Sequence, residues 1–167
     1  LAFQGITAIK AKGQTIHSFF KLGPHFLSKD DVKELRDKQV IQNLDTILID
    51  EISMVRADLF DAIDLSLKKN RKNDKPFGGV QMVLFGDVMQ IDPIVGSDDE
   101  VMQKFYPNGP FFFNSKSYSK KDFKQIELTK IFRQSDKKFV NLLNKIRMNK
   151  LQNEDLSILN NQLINRE

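Results

Sequence analysis

Asp50 and Glu51 stand side by side directly after the apolar run Ile47, Leu48, Ile49. Such a run reads as a strand of a parallel sheet covered on both faces. Acids at the C-terminal end of such a strand lie where open α/β sheets take their ligands. There an Asp can hold Mg²⁺ through water and a Glu can polarise an attacking water, the chemistry of nucleoside triphosphate hydrolysis. The pair alone admits a second reading, in which Asp50 caps the following helix and Glu51 fills its first turn. Two further groups bear on the choice. Asp87 follows a second apolar run, with Gln90 three residues on, and Arg133 follows a third. Gln90 is placed to report on a terminal phosphate, and Arg133 to neutralise charge building on a transferred phosphoryl group. Singly, either reads as ordinary surface hydrogen bonding; their joint placement after three strands is the signal.

The elements that must position these groups alternate. Strands are expected at 47–49, 80–85 and 124–128, the first two buried. Residues 6–11 fit a short helix, and Thr15 caps a helical turn carrying Ile16, His17, Phe19 and Phe20. Asp30 and Asp31 open a helix to Asn43, with Val32, Leu35, Val40 and Ile41 as its buried face. A helix over 57–69 carries Leu59, Phe60, Ile63 and Leu67 at helical spacing. Residues 86–110 read as mostly loop, and helices are expected over 115–121, 136–148 and 153–164. Strands alternating with helices argue an α/β fold with a parallel sheet flanked by helices.

Composition narrows the class. The chain has 167 residues, the length of one domain with a real core, and 40% hydrophobic residues. With no Cys, disulfides and thiolate metal sites are excluded. No apolar run approaches the length of a membrane span, so no membrane partner is expected. The net charge is +4, yet residues 41–110 carry 12 acidic against 7 basic side chains. The acidic middle therefore holds the candidate metal site and the flanks are basic, a split that suits a polyanion partner. The stretch KKNRKNDK at 68–75 could track a nucleic-acid backbone but also reads as a solvated loop.

Five segments in order, GQTIHSFF, ILIDEISMV, KPFGGVQMVLFGDVMQIDP, FFFNS and ELTKIFRQ, resemble the first RecA-like motor domain of Pif-type helicases, in the RecD-like 5′→3′ branch of superfamily I. The resemblance runs over nearly the whole chain. It implies a RecA-like NTPase core, ATP and Mg²⁺ as cofactors, and translocation on single-stranded DNA with duplex unwinding in repair, recombination or telomere-type maintenance. By the same resemblance Asp50 binds Mg²⁺, Glu51 is the catalytic base, and Asp87 and Gln90 sense the γ-phosphate that Arg133 contacts. Ser53 couples the site to DNA. Thr15, His17, Ser18 and Phe19 match the segment that touches the strand, where hydroxyls bind phosphates and aromatic rings stack on bases. Phe19 and Phe20 also read as plain core. DNA junctions and a second RecA-like domain are the implied partners, in a bacterial-type cytoplasm or another DNA-containing compartment.

One expected motif is missing. The chain nowhere contains the phosphate loop G-x-x-x-x-G-K-S/T. In the family that loop lies upstream of the segment matched by residues 1–8, so the chain reads as a motor domain incomplete at its N-terminus and inactive alone. Gln4, Lys12 and Asp92 also stand where the family usually has Thr, Gly and Pro. Other readings stay open: a non-catalytic nucleic-acid-binding module, which would not need Glu51 or Arg133, or the motor of a recombination nuclease subunit or relaxase. A metal-dependent phosphatase or nuclease would need more carboxylates or His around the metal than Asp50 and Asp87 offer.

Overall fold

In the computed structural model the first two apolar runs become strands β1 (Thr46–Ile49) and β2 (Gln81–Leu84). They pair in parallel, with Ile47 opposite Met82 and Ile49 opposite Leu84. The structure describes residues 1–10, 12–119, 122–132 and 134–163, the side chains of Gln162 and Leu163 aside. In chain order the helices are α1 (Gly5–Lys10), α2 (Ile16–Phe20), α3 (Gln39–Gln42), α4 (Ala57–Arg71), α5 (Asp99–Phe105), α6 (Lys137–Arg147) and α7 (Asn153–Leu163). The chain divides into two units, Leu1–Lys124 and Gln125–Glu167.

Parallel strands need a crossover, and α4 supplies it. Its Leu59, Phe60, Ile63 and Leu67 are all buried, in one core with Ile47, Ile49, Phe77, Val80 and Phe112. Each such side chain contributes about 1.5–3 kcal/mol on burial. Phe60 meets Phe77 and Phe112 edge-on, with centroids at 5.3 and 5.8 Å. The helix ends where Lys72 turns left-handed and donates its N–H to the Lys68 carbonyl. In the second unit, Asp136 caps α6 through the amides of Lys138 and Phe139, and Lys145 of α6 pairs with Asp155 of α7 at 2.7 Å.

The strands are covered on one face, not both. Ile47 and Ile49 are buried, whereas Leu48 between them is 54% exposed. The face with Ile47 and Ile49 shares its core with α4; the other face is covered only in part, with Val83 half-buried opposite Leu48.

Of the helix expected over 30–43 only the last part forms, as α3 (Gln39–Gln42). Asp31 accepts the amide and hydroxyl of Ser28 at 2.8 and 2.6 Å, closing a 3₁₀ turn at Lys29–Asp31. Beyond it, α4 side chains take the backbone bonds that a helix would make internally. Lys69 donates to the Val32 carbonyl at 2.9 Å, and Asn70 accepts the Leu35 amide at 2.8 Å. Val32 and Ile41 are buried as expected, Leu35 is half-buried, and Val40 is exposed. A single carboxylate overrides the expected helix at 115–121 in the same way. Asp61 of α4 accepts the Lys116 amide at 3.2 Å, the Ser117 amide at 2.8 Å and the Ser117 hydroxyl at 2.7 Å. Residues 115–119 are therefore loop, after a 3₁₀ turn at Phe112–Asn114; Lys120 and Lys121 lie outside the described residues. No strand forms at 124–128, where Ile126 and Leu128 are 74% and 86% exposed and no described residue offers a ladder partner. Within 86–110, expected to be mostly loop, α5 is anchored by Met102, buried with Ala57 and Tyr106.

Candidate functional site

Two strand ends bring the acids together. The Phe85 amide donates to the Ile49 carbonyl at 2.8 Å, and the Ile52 amide donates to the Phe85 carbonyl at 2.9 Å. Asp50 and Glu51 therefore leave β1 beside Gly86 and Asp87 leaving β2. Gly86 is required by this approach, because a Cβ there would meet the Ile52 amide nitrogen and Cγ2 at 3.0 Å. Between β1 and the 3₁₀ turn Ile52–Met54, Glu51 takes left-handed backbone angles, φ 54° and ψ 48°. For a residue other than Gly that conformation is strained, and such strain gathers at functional sites.

The capping alternative does not hold. Arg56 is the N-cap residue of α4, and the Asp50 carboxylate accepts the adjacent Glu51 amide at 2.9 Å. The second Asp50 oxygen and the Glu51 carboxylate have no hydrogen-bond partner among the described residues. Asp87 Oδ1 accepts the Met89 amide at 3.0 Å, and Oδ2 accepts the Gln90 side-chain amide at 3.2 Å. Gln90 is thereby folded back onto Asp87 while remaining exposed. No group of three or more acids or His gathers as a metal cage among the described residues. A half-buried carboxylate with an open oxygen fits Mg²⁺, which takes one or two carboxylates and completes its octahedron with phosphates and water. Ser53 is buried and its hydroxyl has no partner among the described residues. Arg133 lies outside the described residues, and with no third strand the site rests on two strand ends.

The Thr15–Phe19 segment is tied to this edge through Ala2, which bridges both Thr15 and Asp50 in parallel. The Ile16 amide donates to the Ala2 carbonyl at 3.0 Å, and the Asp50 amide to the Leu1 carbonyl at 3.0 Å. Thr15 caps α2, its hydroxyl accepting the Ser18 amide at 3.2 Å. Ser18 is exposed, and half-buried His17 stands edge-on to Phe3 with centroids 5.6 Å apart. Burial, then the Arg56 guanidinium, push the His17 imidazole below its ordinary value, against the opposing pull of Asp58. Phe19 leans on Phe20 at 4.9 Å and packs against the core, so only part of its ring faces outward. Concavities of about 550 and 650 Å³ flank residues 26–32 and 19–37, and neither is lined by Asp50, Glu51, Asp87 or Gln90.

One group that the sequence reading missed is Arg56. Buried, it donates from Nε and Nη2 to the two Asp58 oxygens at 2.9 and 2.7 Å, and from Nη2 to the His25 carbonyl at 2.7 Å. Nη1 reaches the Pro24 carbonyl at 3.3 Å and Asp98 at 3.4 Å. Asp58 also accepts the Leu27 amide at 2.8 Å. Arg and Asp two apart at a helix start give no periodic signal; only their burial shows the role.

The model of the family described as PIF1-like helicase matches residues 1–157. The chain is 37% identical to the ATP-dependent DNA helicase PIF1 of Saccharomyces cerevisiae, over 92% of this chain and 18% of that protein. It is 32% identical to human PIF1, over 92% of this chain and 23% of that protein. A Bacteroides Pif1 helicase solved in complex with ADP-AlF3 and single-stranded DNA superposes with a TM-score of 0.90 at 38% identity, covering 99% of this chain and 39% of that one. The chain thus spans about a fifth of the length of the curated relatives it matches. With its parallel pair, its paired strand-end acids and this match over most of its length, the chain belongs to the PIF1-like helicase family.

Proposed function

We propose that the chain forms most of one RecA-like motor domain of an ATP-dependent 5′→3′ DNA helicase, with the phosphate loop and a second RecA-like domain supplied by further sequence. The observation that carries this is the side-by-side exit of Asp50–Glu51 and Gly86–Asp87 from paired parallel strands, in a chain of this family. Asp50 would hold Mg²⁺ through its open oxygen, and the chemistry such an ion would supply there is neutralisation of phosphate charge. Glu51, strained in backbone and unpaired in side chain, accepts a proton from the attacking water. Gln90, held by Asp87, reads the γ-phosphate, and Arg133 meets the same group. The buried Ser53 hydroxyl, without a partner among the described residues, couples the site to DNA. Thr15, His17, Ser18 and Phe19 face a single strand of DNA, and DNA junctions are substrates for unwinding. The protein works wherever DNA is held.

The test is ATP turnover by the full-length gene product with and without single-stranded DNA. Strong stimulation that Glu51→Gln abolishes, with nucleotide binding kept, is the expected result. Unchanged turnover in Glu51→Gln removes the assignment of Glu51. DNA binding with no turnover at all favours the non-catalytic binding module.

A further inference from the structure

Three stretches meet at one buried guanidinium. Residues 24–27 follow the Thr15–Phe20 segment and are fixed by Arg56 through the Pro24 and His25 carbonyls, and by Asp58 through the Leu27 amide. The start of α4, which carries Arg56 itself, follows Asp50 and Glu51 through the single turn Ile52–Met54. Asp98, the third contact, ends the connection that begins at Asp87 and contains Gln90. The bond to Asp58 is bidentate, short and buried; the bond to Asp98 is 3.4 Å, and the Asp98 side chain is 23% exposed. One arm is thus fixed and the other can open without dismantling the first.

We propose that Arg56 is a positioning residue linking the Gln90 connection to the Thr15–Phe20 segment, with Asp98 as its releasable arm. The inference rests on the helicase reading above and adds a route by which DNA occupancy reaches the phosphate-sensing loop. A strand bound along Thr15–Phe19 shifts residues 24–27, whose carbonyls share the guanidinium with Asp98. The Asp98 contact then tightens or releases, and the Gln90 connection moves with it. Coupling of this kind runs through packed groups with two discrete arrangements, and the ion pair offers such a pair of states.

The experiment compares wild type, Asp98→Asn and Asp98→Glu as full-length proteins, by steady-state ATP turnover at saturating single-stranded oligothymidine. Thermal melting and Kd for the oligonucleotide are measured alongside. Asp98→Asn keeps the buried Arg56–Asp58 pair and removes only the outer charge. It is expected to lower kcat with DNA about three- to tenfold, leaving KM for ATP and Kd for DNA within about twofold. Asp98→Glu restores the charge and most of the rate. Wild-type kcat in Asp98→Asn overturns the proposal, as does a loss that Asp98→Glu shares in full or that tracks a fallen melting temperature. A wild-type protein whose turnover ignores single-stranded DNA removes the helicase reading itself, and this proposal falls with it.

Discussion

The backbone at Glu51 allows stability and chemistry to be separated at one position. Glu51 sits at φ 54° and ψ 48°, because the chain must turn from β1 into Ile52–Met54 while the Ile52 amide reaches the Phe85 carbonyl. The left-handed conformation costs a side-chain-bearing residue about 1–2 kcal/mol. Glycine escapes that cost but loses about 0.4–1 kcal/mol against alanine through its freer unfolded chain. Glu51→Gly should therefore be more stable than Glu51→Ala by about 0.5–1 kcal/mol, although glycine is ordinarily the weaker choice. For a chain of this size that is a rise of about 1–4 °C in melting temperature. Glu51→Gln keeps the same backbone cost and should melt with wild type. All three variants lose the carboxylate, and in the full-length protein turnover should fall by about 10²–10⁴-fold in each. Thermal unfolding of the 167-residue chain followed by circular dichroism reads the first quantity, and phosphate release reads the second. If Glu51→Gly melts below Glu51→Ala, the backbone is not left-handed and the strain reading is wrong. If Gly and Ala differ as expected but turnover survives in both, the strain belongs to the turn and not to catalysis.

Gly86→Ala should destabilise by about 1–3 kcal/mol, since its Cβ meets Ile52 backbone at 3.0 Å; an unchanged urea midpoint would refute that contact. Asp61→Ala orphans the Lys116 and Ser117 amides and the Tyr106 hydroxyl, which it accepts at 2.8 Å, and should cost about 2–3 kcal/mol. Hydrogen exchange should speed up first at residues 116 and 117, and protection kept there would count against the anchor. Asp31 is held down to about 2 by the Ser28 hydroxyl, the Ser28 amide and His25, in that order. A carboxyl lowered in the folded state adds stability above its ordinary 3.8 and loses it as pH falls towards 2. Asp31→Asn should thus be the less stable protein at pH 6 and equal to wild type near pH 2; a gap independent of pH would rule out the linkage.

What the sequence made legible was whatever local spacing decides. The α4 face repeats Leu59, Phe60, Ile63 and Leu67 at helical intervals, and all four are buried. Thr15 was readable as a cap and its hydroxyl accepts the Ser18 amide; Asp136, where a helix was expected to begin, accepts the Lys138 and Phe139 amides. Asp50, Glu51 and Asp87 were legible as strand-end acids, and the parallel β1–β2 pair sets the first two beside the third. Two of the failures share one cause. Residues 30–43 and 115–121 have helical composition, but Lys69, Asn70 and Asp61, up to 56 residues away in sequence, claim their backbone groups. Ser28, three before Asp31, closes a capped turn with it; nothing local said that the helix would stop there.

The same long-range bonding bears on function. α4 and its N-cap Arg56 reach out through Arg56, Asp58, Lys69 and Asn70 to residues 25–35, through Arg71 to the Ile41 carbonyl of α3, and through Asp61 to Ser117. Residues 32–38 and 115–119 thereby keep an irregular backbone. The connection after α2 and the one after Asp87 are both held by the N-cap of α4, a few residues downstream of the strand-end acids Asp50 and Glu51. A displacement at either can therefore reach α4 through hydrogen bonds to one guanidinium as well as through apolar packing. In the helicase reading proposed above, a path of this kind would let strand binding govern ATP hydrolysis, and Arg56 is the residue at which the two connections meet.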